Sequence, residues 1–259
     1  MRRLLKVMLV TVVMVVGAQG TALAASWDYT ALGDSLGTGF GAFRGYVPRY
    51  ETHIEADTGN TVNLNNLSRN GWTSEDLLSA LRNDAGFRRA VRRAEVVTYD
   101  IGGNDLRDAR ERYKQGTCGG ADNQDCLRTT VNEFESNWDA ITAEILSLRS
   151  PRNTVIRTMD IYNPYVGRDV TADSWANDGG QNDFQAFKPY AEEANSHIAA
   201  TSTTNGIRYA PVYRAFNGPS GAEDPSGKGY IFIDGLHPND RGHAVIAGLF
   251  RDLGYAPLR

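Results

Sequence analysis

The chain has 259 residues, of which 41% are hydrophobic, 22% charged and 10% aromatic, with 27 Gly, 9 Pro and 2 Cys. These proportions belong to a folded globular protein and exclude a collagen-like chain, a disordered chain and a disulfide-dense miniprotein. The net charge of −4 lacks the basic excess of a general nucleic-acid binder, so no nucleic-acid partner is expected.

The N-terminus reads as a targeting segment. Met1–Lys6 (MRRLLK) is basic, Val7–Ala18 is almost wholly apolar, and Ala22-Leu23-Ala24 supplies small residues at a cleavable spacing. Basic, apolar, small is the order of a secretory signal peptide. The apolar run is too short to cross a bilayer core of about 30 Å as a helix, so no stable membrane anchor is expected. Cleavage after Ala24 leaves a single domain, residues 25–259, and removal of Arg2, Arg3 and Lys6 takes the charge from −4 to −7. Export implies an oxidising compartment. Cys118 and Cys126, in a Gly/Asp/Asn-rich stretch, are therefore expected to form a local disulfide.

Short β-type runs then alternate with helical patterns. Tyr29–Gly33 is the first strand, Tyr46–Asp57 a helix and Thr61–Leu67 the second strand, with Val62, Leu64 and Leu67 as its inward residues. Thr73, with Asp76 three positions on, predicts a capped helix carrying Leu77, Leu78 and Leu81 on one face. Glu95–Ile101 is the third strand, and Leu127–Leu148 is a long helix with Val131, Phe134, Trp138, Ile141 and Ile145 at three-to-four spacing. Thr154–Ile161 is the fourth strand, Phe184–Thr201 a helix, Ile207–Val212 the fifth strand, and Asn239 caps a last helix through Leu253. Such alternation predicts the α/β class: a mostly parallel sheet, five-stranded here, covered by helices on both faces with right-handed crossovers. Tyr162–Asn182 and Ala215–Gly229 follow strands four and five, at the carboxyl edge where ligands bind in open α/β sheets.

The polar residues at the strand ends carry the chemistry. Strand one ends in Gly33-Asp34-Ser35-Leu36-Gly37, whose small residues allow a sharp turn exposing Ser35 as a nucleophile. A rival reading takes Gly37, Gly39 and Ala42 as a dinucleotide fingerprint. That fingerprint needs an acidic residue at the end of strand two, where Asn65-Asn66-Leu67-Ser68 stands instead. Asp234-Gly-Leu-His237 has the spacing at which a carboxylate fixes the imidazole tautomer and leaves Nε2 as a base. His53, His197 and His243 fall within helices and suit packing or solvated roles. Asn104 in Gly102-Gly103-Asn104-Asp105 and Gly71 in Asn70-Gly71-Trp72 are candidate donors to an oxyanion, though Asn104 and Asp105 also suit helix capping. All of these groups follow strand ends, which share one edge of a parallel sheet.

These residues, in this order, resemble the sequence blocks of the SGNH (GDSL) hydrolases, and the blocks span nearly the whole of residues 25–259. The resemblance implies a three-layer, flavodoxin-like α/β/α fold and ester hydrolysis through an acyl-enzyme. By position it makes Ser35 the nucleophile, His237 the base and Asp234 its partner, with the Ser35 N–H, Gly71 N–H and Asn104 amide as the oxyanion hole. Asp34 is read as a turn carboxylate. This chemistry needs no metal or cofactor, and Asp122–Asp125 and Asn177–Gly180 lack the Gly and Glu positions of a calcium-binding EF-hand loop.

The expected substrate is a small-molecule, lipid or glycan ester. Asp160-Ile-Tyr-Asn-Pro-Tyr165 is similar to lipase-type members, favouring lipid or simple acyl esters over carbohydrate O-acetyl groups. Trp72, Tyr162, Tyr165, Trp175, Tyr230 and Phe232 are candidate rim aromatics. A non-catalytic extracellular glycan- or lipid-binding module is the alternative of a different class, and the intact Ser35, Asn104 and His237 speak against it. A monomer is expected.

Overall fold

A computed structural model describes residues 25–177 and 179–258, so the expected signal peptide, residues 1–24, lies outside the described residues. Five strands form one sheet: β1 (Ser26–Leu32), β2 (Thr61–Asn66), β3 (Val96–Tyr99), β4 (Val155–Met159) and β5 (Arg208–Ala210). Their order is β2-β1-β3-β4-β5 and every pairing is parallel. The helices are α1 (Ser35–Thr38), α2 (Tyr46–Thr58), α3 (Ser74–Asn83), α4 (Ala85–Arg93), α5 (Gly103–Lys114), α6 (Asp125–Leu148), α7 (Val166–Asp169), α8 (Asp183–Thr204), α9 (Val212–Asn217) and α10 (Asp240–Asp252).

Side chains of a strand alternate between faces, and a sheet buried on both faces must fill both with apolar residues. Tyr29, Val96 and Val155 belong to the core under α2, α9 and α10. Leu32, Val97, Tyr99 and Ile156 point to the opposite core under α3 to α6 and α8. Edge strand β2 is only half-buried; Val62 and Leu64 pack into the first core, while Leu67 packs into the other. Arg157 of β4 is buried; its guanidinium donates to the carbonyls of Gly254 and Ala256, tying down the C-terminal segment.

Several local signals are obeyed. Thr73 and Asp76 form the reciprocal capping box of α3, and Asn239 accepts from the Arg241 and Gly242 N–H groups at the start of α10. The sequence pattern does not separate α4 from α3. The break lies at Asp84, whose carboxylate accepts from Gly86 and Phe87 N–H and restarts the helix. A disulfide joins Cys118, in the loop after α5, to Cys126 in the first turn of α6. Among the described residues no helix is long and apolar enough to cross a membrane.

The strand order positions the site. After β1 the chain moves outward to β2, then crosses to β3 on the other side of β1. Loops leaving β1 and β3 therefore diverge and open a crevice at their carboxyl ends, the switch point of a doubly wound sheet. Ser35 begins the helix that follows the first of these loops, and Asn104 lies in the first turn of the helix that follows the second.

Candidate active site

Ser35 begins α1 two residues after Gly33, where β1 turns out of the sheet. Glycine is needed at 33 because a Cβ would overlap Asp100 Oδ1 and stand 2.6 Å from the Asp100 carbonyl. Asp34 Oδ1 accepts the Leu36 N–H at 2.9 Å and so caps this single turn. That is the structural role read from the sequence for Asp34. Ser35 ends up 7% exposed, at the wall of a cavity.

His237 arrives from the far end of the chain, 202 positions away, with Nε2 2.8 Å from Ser35 Oγ. Its Nδ1 lies 2.7 Å from Asp234 Oδ2. The second oxygen of Asp234 accepts the N–H groups of Leu236 and His237 at 2.9 and 3.0 Å, so one carboxylate shapes the turn and orients the ring. Burial would push the Asp234 carboxyl up, but the bonds from His237 and the two backbone N–H groups outweigh it and hold it below the ordinary range. With Asp234 ionised, Nδ1 carries the proton and Nε2 is left to accept from Ser35.

Residues distant in sequence brace this turn. Tyr162 Oη donates to the Leu236 carbonyl at 2.6 Å, and Arg168 donates to the Gly235 carbonyl at 2.7 Å. The Phe40 ring packs against the imidazole of His237, centroids 4.5 Å apart. These partners are 74, 67 and about 200 positions away, so nothing local announces them.

Asn104 sits in the first turn of α5, entered through Gly102 at a φ of 111°. Its Nδ2 donates to the Trp72 carbonyl at 2.7 Å and lies 3.4 Å from Asp34 Oδ2. Asn104 lines the same cavity as Ser35 and His237. Gly71 adjoins Trp72 and is exposed, with a φ of 80° that favours glycine. It does not line the cavity; Asn104 reaches its segment through the Trp72 carbonyl. Asp105 accepts from the Ser74 N–H and hydroxyl, tying the start of α5 to the start of α3. Thus Ser35, His237, Asp234 and Asn104 are brought together, and Gly71 is not among the residues that line their cavity.

The other sequence candidates divide. Tyr162 and Tyr165 line the cavity. Trp72 stacks on Phe87 beneath Arg69, Trp175 packs against the core under α5 and α6, and Tyr230 packs on Phe216. His243 is wholly buried; its Nδ1 accepts the Tyr46 N–H at 3.2 Å, and burial lowers it to about 4.

Buried acids line the same cavity as Ser35. Asp100 accepts from Tyr46 Oη at 2.8 Å, and Asp160 accepts from the Tyr213 N–H at 2.7 Å. Burial, reinforced by the charge of Asp34, pushes the Asp100 carboxyl well up. Burial likewise takes Asp34 and Asp160 up to about 7.

The chain and its fold are similar to known proteins. The spore germination lipase LipC of Bacillus licheniformis is 27% identical over 236 residues, covering 89% of this chain and 98% of that protein. The crystal structure of the lipase Lip_vut3 from a goat rumen metagenome superposes with a TM-score of 0.73 at 24% identity, over 90% of this chain and all of that one. A variant of an acetyl xylan esterase from Geobacillus stearothermophilus shares the fold at a TM-score of 0.59 and 15% identity, covering 91% of this chain and 98% of that chain. The model of the GDSL-like lipase/acylhydrolase family matches residues 31–245, and the chain belongs to that family.

Proposed function

We propose that this ester hydrolase is a serine enzyme acting on simple or lipid-type carboxylic esters through an acyl-enzyme. The observation that carries the reading is the unbroken relay from Ser35 Oγ to His237 to Asp234, with Asn104 on the same cavity wall. Ser35 Oγ attacks the ester carbonyl while its proton passes to His237 Nε2. The carbonyl oxygen becomes an oxyanion, received by the Ser35 N–H, the Gly71 N–H and the Asn104 amide. The imidazolium, stabilised by Asp234, returns its proton to the departing alkoxide, which leaves as the alcohol. A water then repeats the sequence on the acyl-Ser35, releasing the carboxylic acid and restoring the hydroxyl.

The protein acts outside the cell after losing residues 1–24. The order of basic, apolar and small residues supports this, as does the Cys118–Cys126 disulfide. Labelling with a serine-directed organophosphonate tests the nucleophile. Native protein takes up one equivalent and loses activity, and Ser35→Ala takes up none. Labelling that survives Ser35→Ala refutes the assignment.

A further inference from the structure

Resting on that reading, we infer that apolar side chains exposed around the Asp234–His237 turn form a docking face for a lipid surface, from which the enzyme takes its ester. A single exposed apolar residue carries no meaning on a protein surface. Here, among the described residues, the large apolar side chains that stand exposed are Phe40, Phe43, Val170 and Ile233, and all four are tied to this one turn. Phe43 is 99% exposed and Ile233 93%. They come from three distant segments: Phe40 and Phe43 follow α1, Val170 follows α7, and Ile233 immediately precedes Asp234. The Phe40 ring packs on the His237 imidazole, and a Cβ at Gly41 would stand 3.1 Å from His237 Cβ. The Phe43 N–H donates at 2.9 Å to Asp240, which opens α10 just after His237. Arg168, just before Val170, donates to the Gly235 carbonyl.

Three properties select the occupant. The first is form. The apolar side chains stand on separate segments, which suits a soft layer that each can enter reversibly without a spanning helix. The second is position. The turn they flank carries the base of the Ser35 relay, so a rigid protein seated on them would cover the reacting groups. A layer of lipid esters is instead itself the substrate. The third is charge. The guanidinium groups of Arg44 and Arg168, both exposed, bond carbonyl and hydroxyl oxygens and pair with no carboxylate among the described residues. The carboxylates flanking the turn are already engaged, Asp234 by His237 and Asp240 by Arg49. The uncommitted charge beside the apolar side chains is therefore positive, and it complements headgroup phosphate.

Moving a Phe or Ile side chain from water into an apolar layer is worth roughly ten- to a hundredfold in partition. The test is retention on vesicles of phosphatidylcholine, with and without phosphatidylglycerol, read on Ser35→Ala so that no lipid is consumed. That protein should be retained on both, roughly fivefold more tightly with phosphatidylglycerol. Adding Phe43→Ser or Ile233→Ser should weaken retention by roughly fivefold or more, and adding both by roughly twentyfold or more. Arg44→Gln should remove only the gain from phosphatidylglycerol. With Ser35 restored, the Phe43→Ser/Ile233→Ser variant should lose roughly tenfold or more of its hydrolysis of emulsified tributanoylglycerol, while kcat/KM for dissolved p-nitrophenyl butanoate stays within about twofold. Equal loss on both substrates overturns the docking role. No retention on either vesicle, or retention that survives both substitutions, overturns the face. A dimer in solution that the two substitutions dissociate assigns the face to a second copy and overturns the lipid. Vesicle retention does not depend on Ser35. Absence of Ser35-dependent ester turnover therefore overturns the serine-hydrolase reading and leaves the lipid contact standing by itself.

Discussion

Replacing Asn104 by alanine separates a catalytic role from a structural one. The amide makes one strong bond, to the Trp72 carbonyl at 2.7 Å, and one long contact to Asp34. Trp72 is only partly buried, so water can replace part of the lost bond. The stability cost is then about 1 kcal/mol, near the low end for an orphaned carbonyl. For a domain of this size that is a fall in Tm of roughly 2–4 °C. The catalytic cost is of another order. Loss of one oxyanion donor typically removes about 10²–10³ from kcat, or roughly 2.7–4 kcal/mol of transition-state stabilisation. The ground-state carbonyl does not yet occupy the oxyanion position, so KM should change by less than about threefold. The assay is kcat and KM with p-nitrophenyl butanoate, beside a thermal melt of the same preparation. A variant with kcat within threefold of the native value and a lowered Tm would show that Asn104 only braces the Trp72 turn. In that event it is no oxyanion donor.

Asp234→Asn keeps an oxygen for the Leu236 and His237 N–H groups but presents an amide to Nδ1, favouring the wrong tautomer; kcat should fall by up to about 10⁴ with the Tm nearly unchanged, and a fall below tenfold would remove Asp234 from the relay. Asp160 has a pKa raised by burial to about 7, above its unfolded value of 3.8, so its contribution to stability is fullest below pH 4 and is lost as pH rises towards 7. Asp160→Asn cannot ionise and can still accept from the Tyr213 N–H. Its Tm should gain on the native protein between pH 4 and pH 8, and a constant difference across that range would contradict the buried-acid argument. Replacing Cys118 and Cys126 together by serine opens a short loop, with an expected loss of about 2–3 kcal/mol in chemical denaturation and unchanged kcat. A loss of kcat would mean the loop reaches the site.

Some features of this protein were determined locally and were readable as such. A capping box needs only Thr73 and Asp76, and an imidazole fixed by a carboxylate needs only the turn from Asp234 to His237. Alternating strand and helix periods implied a parallel sheet, and placed Ser35, Gly71, Asn104 and His237 after strand ends that share one edge. Short-range geometry encodes these, because each depends on residues a few positions apart.

Other features depend on partners far apart in the chain. No spacing rule separates α3 from α4, because Asp84 could equally have continued one helix. Asp100 reads as the end of a strand, and only folding sets it beneath Gly33 with the Tyr46 hydroxyl on its carboxyl. Trp72 and Trp175 were equal candidates with Tyr162 for the rim, and packing against Phe87 and the core beside α5 takes them away from the cavity. The sequence by itself supplied the polar groups of the site in short local motifs, the turn at Ser35 and the turn from Asp234 to His237. Only the tertiary structure decided the shape of the space beside Ser35, because its walls come from the segments leaving β3 and β4 and from α5 and α8, which meet through hydrophobic packing that no local pattern records.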